Sequence, residues 1–205
     1  MSQPDTAAVV TAIRAALPAA EISLRQNPGP SGQHSILAAP ASLVSVATWL
    51  RDTPGMEFDF LSNATGVDWP DPKKAAAVAP AAEGEPDESA APREDGFLEV
   101  VYHLFSTSRR VGPLVLRCRT ANRSDAVDVP SLTPVFRSAE FQEREIFDLF
   151  GVKFAKHPDL RRILMWDEFT DHPMRKDYVP PDDFEYEPTP HDAILAKVKA
   201  RTEAA

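Results

Sequence analysis

The chain has 205 residues, 43% of them hydrophobic, a single cysteine and a formal net charge of −9, which suits one globular domain with a real core and leaves little room for a second large one. One cysteine excludes an internal disulfide and any all-cysteine zinc or iron–sulfur site built by this chain alone. There is no run of about 18 apolar residues, and the opening MSQPDTAAVV has neither a basic flank nor an apolar stretch, so neither a membrane span nor a signal peptide is expected and a cytoplasmic location is.

In chain order, residues 4–17 read as a short amphipathic helix ended by Pro18. EISLR and HSILAA follow as two strands around the breaker-rich turn QNPGPSGQ. Between 41 and 51, Leu43, Val46, Ala47 and Leu50 recur at helical spacing, with Ala41-Ser42 as the entry. MEFDFL then predicts a strand with Met56, Phe58 and Phe60 on one face and Glu57 and Asp59 on the other. Residues 71–95, rich in Ala, Pro, Glu, Asp and Lys, carry almost no large apolar side chain and read as a disordered acidic loop inserted between two strands. Within it, residues 83–95 hold six acids and one arginine, and residues 182–187 hold four more acids, so two segments account for the whole −9. A nucleic-acid partner is not expected.

FLEVVYHLF and LVLRCRT, joined by STSRRVGP, form the clearest hairpin. Leu98, Val100, Tyr102 and Leu104 make one apolar face, matched by Leu114, Leu116 and Cys118. The other face sets Glu99 and His103 opposite Val115, Arg117 and Arg119. Four residues along a strand is about 13 Å, too far for Glu99 and His103 to act as a pair, so Glu99 is expected to find an arginine across the ladder. The histidines at 34, 103, 157, 172 and 191 show no tight ligand spacing, and no metal site is expected.

Ser138 opens a helix that runs to Phe150 and stops at Gly151, a residue suited to the left-handed position after a helix. Ile146, Phe147, Leu149 and Phe150 cover a broad side that also contains Glu143. Arg144, Glu145 and Asp148 lie on the other side, where Glu140–Arg144 and Arg144–Asp148 at four-residue spacing read as an ordinary surface network. The step His157-Pro158 forces an extended turn, and the adjacent Arg161 and Arg162 suit bidentate grips on carboxylates of this chain or another. A carboxylate at Glu143 must be paired or protonated, and Arg161, Arg162 or a basic group of a partner are the candidates to pair with it. No nucleophile has a base within reach and no glycine-rich loop cradles phosphate. A stand-alone hydrolase using His103, His157 or Glu145, and a free-standing acidic binding module, are the readings from other classes.

The run EREIFDLFGVKFAKHPDLRRIL resembles the signature of the C-type subunit of NADH:quinone oxidoreductase, respiratory complex I, the thirty-kilodalton subunit family. Its elements here are Glu143-Arg144-Glu145, Asp148-Leu149-Phe150, His157, and Arg161 followed by Ile163-Leu164. The likeness continues through HPMRKDY at 172–178 and upstream through GVDWP and EVVYHLFS, covering residues 35–180. The acidic insertion, and SAEF where the family has Ala-Asn-Trp, are the departures.

The resemblance implies an α+β fold, a mixed or antiparallel sheet with helices packed on it, over 1–164, followed by an extended partner-wrapping segment over 165–205. It implies a subunit of the peripheral arm that binds no cofactor and carries no catalytic residue, flavin, iron–sulfur clusters and quinone belonging to other subunits. It would dock on the large quinone-site subunit of D type, at the cytoplasmic face of a bacterial inner membrane. Glu143, Arg144, Glu145, Asp148, Gly151, His157, Pro158, Arg161 and Arg162 would be structural. His172, Pro173, Arg175, Lys176, Asp177 and Tyr178 would dock the partner, aided by aromatics among the acids and prolines beyond them. The equivalent subunit of a membrane-bound, energy-converting hydrogenase is the alternative within the same group.

Overall fold

The computed structural model describes residues 2–71 and 96–179. The expectations for residues 72–95 and for the tail beyond 179 lie outside them.

Helix α1, Thr6–Ala16, begins where Asp5 accepts hydrogen bonds from the N–H groups of Ala7 and Ala8, both at 3.1 Å, which satisfies donors that a first turn leaves open. Strands β1, Ile22–Arg25, and β2, Ser35–Ala38, form the expected antiparallel pair. Helix α2, Pro40–Asp52, starts one residue before the expected entry, because Pro40 fits the first helical position. Strand β3, Phe60–Trp69, precedes β4, Phe97–Ser106, and β5, Val111–Arg119. Then come β6, Asp128–Pro130, helix α3, Ala139–Phe150, and β7, Lys153–Ala155.

Five strands make a mixed sheet in the order β1-β2-β5-β4-β3, antiparallel except for β2 beside β5, and β6 pairs with β7 in a small parallel sheet. The predicted apolar face of the hairpin, Leu98, Val100, Tyr102, Leu104, Leu114, Leu116 and Cys118, is wholly buried in one cluster with Val9, Ile13, Leu43, Val46, Leu50 and Ile146 of the three helices. The chain is therefore α+β, with its core between one sheet face and the helices. On the opposite face Glu99 meets Arg119 Nε at 2.7 Å and Arg117 Nη1 at 3.2 Å, the cross-ladder partners expected for it.

The reading of MEFDFL as a strand fails. Glu57 has a φ of 46° and Asp59 turns outward to accept from Thr107 N at 2.8 Å and Thr107 Oγ1 at 2.5 Å. Phe58 is buried in the core, while Phe60 is 49% exposed. The alternation was local; the real strand begins at Phe60 and runs through the polar SNATGVDW, because α3 lies across it. Ser138 Oγ donates to Leu61 O at 3.0 Å and Ala64 N donates to Gln142 Oε1, so side chains of α3 and of the residue that precedes it occupy backbone groups on the edge of the sheet. Gly66 lets this happen: a Cβ there would meet the Phe150 ring at 2.5 Å.

Candidate functional site

The signature helix carries its charges inward. Glu143, Arg144 and Asp148 are buried, which corrects the expectation that Arg144 and Asp148 form a surface network; Glu145 alone of the expected polar side is exposed. The partners of Arg144 and Asp148 come from residues 159–179, a strap without regular secondary structure.

Asp148 is the hub. Its Oδ2 accepts from the N–H groups of Ile163, Leu164 and Met165 at 3.0, 2.7 and 2.9 Å, and its Oδ1 accepts from Arg162 Nη1 at 2.6 Å. Burial opposes the charge, but those N–H groups and the guanidinium outweigh it and hold the carboxyl below its ordinary range. Arg144 donates to Arg161 O at 3.1 Å and Arg162 O at 3.0 Å. One acid and one base of the helix thus hold successive peptide groups of the strap, its donors and its acceptors respectively.

The strap also closes the end of α3. The last turn of a helix leaves carbonyls without intrahelical donors. Here Phe147 O accepts from Gly151 N at 2.9 Å, Leu149 O from Met174 N at 3.1 Å, Asp148 O from His172 Nδ1 at 3.0 Å and Phe150 O from Arg175 Nε at 2.7 Å. Gly151 has a φ of 79°, and a Cβ on it would stand 2.4 Å from His172 Nε2 and 2.7 Å from Arg175 Nη2; both the backbone and the close approach require glycine. Burial pushes His172 below its ordinary range, so the ring is neutral at neutral pH and Nδ1–H is its donor. Further along, Lys176 N donates to Asp68 Oδ2 at 2.8 Å, while Arg123 grips Asp68 at 2.6 and 2.7 Å and Asp177 at 2.9 Å.

His157 uses both ring nitrogens. Nδ1 accepts from Asp159 N at 3.1 Å, so Nε2–H donates to Glu140 O at 3.0 Å. Together with the exposed Pro158 it turns the chain back along α3. His103 lies on β4, and among the described residues no hydrogen bond joins it to His157 or Glu145. Arg161 is 69% exposed at its side chain and pairs with its neighbour Asp159.

Glu143 does not meet Arg161 or Arg162, contrary to expectation. Its Oε1 accepts from Leu132 N at 2.8 Å and its Oε2 from Ser131 Oγ at 2.6 Å. Desolvation outweighs these donors and raises the carboxyl to about 7. Beside it Tyr102, fully buried, has a hydroxyl with no partner in hydrogen-bond geometry among the described residues; burial first, then the carboxyl, push that phenol well up. Nothing in the spacing of the sequence marks Ser131, Asp68 or Arg123 as partners of these groups. A buried aspartate in GVDWP, flanked by apolar residues, was the one signal that could have found Asp68.

Fold and seam define an α+β domain whose signature charges hold its own backbone. Residues 36–184 match the model of the family described as respiratory-chain NADH dehydrogenase, 30 Kd subunit, and the chain belongs to that family. It is 37% identical over 84% of its length to the C subunit of NADH-quinone oxidoreductase from Roseiflexus sp. (strain RS-1), of which it covers 83%. It is 36% identical over 70% of its length to the C/D subunit of NADH-quinone oxidoreductase from Bacteroides fragilis, of which it covers 24%. Among solved structures it resembles a chain of the membrane-bound sulfane sulfur reductase, an archaeal respiratory membrane complex, with a TM-score of 0.57 and 19% identity over 95% of this chain and 92% of that one. At that identity the likeness shows the fold alone.

Proposed function

We propose that this chain is a docking subunit of the peripheral arm of an NADH:quinone oxidoreductase, supporting electron transfer from NADH to quinone without a redox centre or catalytic residue of its own. Its partner is the large subunit of D type, at the cytoplasmic face of the membrane. Two things from the family support the reading: the relatives named as the C subunit, and the Bacteroides fragilis relative named C/D. A single cysteine leaves the redox centres to other chains. Among the described residues no helix is long and apolar enough to cross a membrane.

The observation that carries the docking role is the division of labour in the strap. His172, Arg175, Asp177 and the Lys176 N–H hold this chain, whereas Leu164, Met174 and Val179 are 61%, 55% and 80% exposed. Polar groups fix the strap, and the apolar side chains it presents suit burial against a partner. Within the same segment Tyr178 N donates to Arg175 O at 3.1 Å, and the Tyr178 ring lies 6.4 Å from that of Phe169. The reading is tested by co-expressing the chain with a tagged D-type subunit and substituting Leu164→Asp and Met174→Asp. Both are exposed, so folding should survive while recovery with the partner falls roughly tenfold or more. Unchanged recovery of the double variant would overturn the surface, and wild-type chain that never associates would overturn the function.

A further inference from the structure

Glu143 is a buried carboxyl that no cation among the described residues answers. From β4 it faces Tyr102, beside which Cys118 of β5 lies, and from the 131–133 loop it faces only hydroxyl and N–H donors. The cation that α2 sends to this loop, Arg51, donates to Val135 O at 2.8 Å and to Asp52. Arg144, the next residue of α3, is turned to the strap.

Yet Glu143 is not isolated. Its Oε2 lies 2.6 Å from Ser131 Oγ, and Ser131 Oγ lies 2.8 Å from Thr133 Oγ1. Ser131 is buried, while Thr133 reaches partly to the surface. The Thr133 N–H also donates to Ser131 Oγ, at 3.1 Å, and the Leu132 N–H fixes Oε1. This chain of hydroxyls is satisfied in either direction. With the carboxyl ionised, Thr133 O–H donates to Ser131 and Ser131 O–H to Glu143. With the carboxyl protonated, Glu143 O–H donates to Ser131 and Ser131 O–H to Thr133. In both, the hydroxyl of Ser131 makes one donation and accepts two, within its capacity.

We propose that Thr133, Ser131 and Glu143 form a proton relay connecting a buried carboxyl of the signature helix with solvent, so that Glu143 takes up and releases a proton reversibly inside the folded domain. In uptake, a solvent hydronium gives a proton to Thr133 Oγ1, the original Thr133 hydroxyl proton moves to Ser131 Oγ, and the original Ser131 proton moves to Glu143 Oε2. Water and a carboxylic acid replace hydronium and carboxylate, and each hydroxyl ends reversed. Tyr102, buried and un-ionised, closes the inner end.

The relay is tested by infrared spectroscopy of the full chain. A protonated-carboxyl band, identified by its loss in Glu143→Gln, should be present at about pH 5 and disappear reversibly by about pH 9. Should that variant fold poorly, carbon-13 glutamate labelling of the wild type reads the same titration. Thr133→Val cuts the outer end and keeps the Ser131–Glu143 bond. It should leave the titration midpoint in place and slow hydrogen–deuterium exchange of the band by roughly tenfold or more, because a buried proton then waits for local opening. A carboxyl ionised at both pH values, or protonated at both, would overturn reversible uptake. An exchange rate unchanged in Thr133→Val would overturn the relay.

Discussion

Glu143 and Asp148 are both carboxylates with no exposed surface, a little over one helical turn apart, and they titrate in opposite directions. Asp148 has a guanidinium and a row of peptide N–H groups, so burial loses and the charge is kept. Glu143 has one peptide N–H and one hydroxyl, so burial wins. The consequence for stability differs in sign. Asp148 contributes stability that is present above its ordinary 3.8 and lost as the pH falls through its lower folded value. Glu143, raised from 4.5 to about 7, contributes stability that is full below 4.5 and is lost as the pH rises toward and through 7. Compared across pH 4 to 9 by denaturant unfolding, the wild type should therefore lose roughly 3 kcal/mol relative to Glu143→Gln between about pH 4.5 and 7.5. Parallel curves for the two proteins would mean that the carboxyl is not raised in the fold.

At the scale of elements, α3 and the strap form one unit. Each covers what the other cannot satisfy alone: the helix lends side chains to strap peptides, and the strap lends donors to the open carbonyls of the helix. Asp148→Asn keeps the shape but replaces two acceptor oxygens with one, and sets an amide N–H₂ against either Arg162 or the strap N–H groups. The loss should be roughly 3 kcal/mol, the range for breaking a buried pair from one side. Because the unit opens from its outer edge, limited trypsin digestion should cut at Arg161 and Arg162 well before the core unfolds. Cleavage no faster than in the wild type would mean that other contacts hold the strap. The sequence announced this helix through its length, its Gly151 stop and its apolar side. It did not announce that the polar side is buried, because four-residue spacing of charges looks the same whether solvent or a strap lies over it.

In the whole molecule, the strap is fastened at the far end to the sheet. Asp68, at the end of β3, is 3% exposed and is held by Arg123 from the loop after β5, by Lys176 N and, through Arg123, by Asp177. Residues more than 50 positions apart meet here, so the clasp joins sheet, loop and strap into one body. Removing the cation leaves a buried carboxylate in need of a partner. Arg123→Met should destabilise the chain by roughly 3–5 kcal/mol and raise amide exchange at residues 174–178 more than in α1. Unfolding at the wild-type midpoint would show that the clasp is redundant.

What the sequence determined by itself is whatever repeats locally: the periodicity that builds α1, α2, α3 and the hairpin, the glycine that ends α3, the order of charges that marks the family, and the excess of acids in two segments. Its error at MEFDFL has the same origin, since Glu57 and Asp59 alternate like strand residues but are placed by a left-handed turn and by Thr107. Only the tertiary structure decided which carboxyl keeps its charge, which arginine it meets and which motif residues face inward. Those outcomes depend on peptide groups delivered from the strap and the loop after β6, and a donor brought from such a distance leaves no mark on the spacing of the residues that receive it.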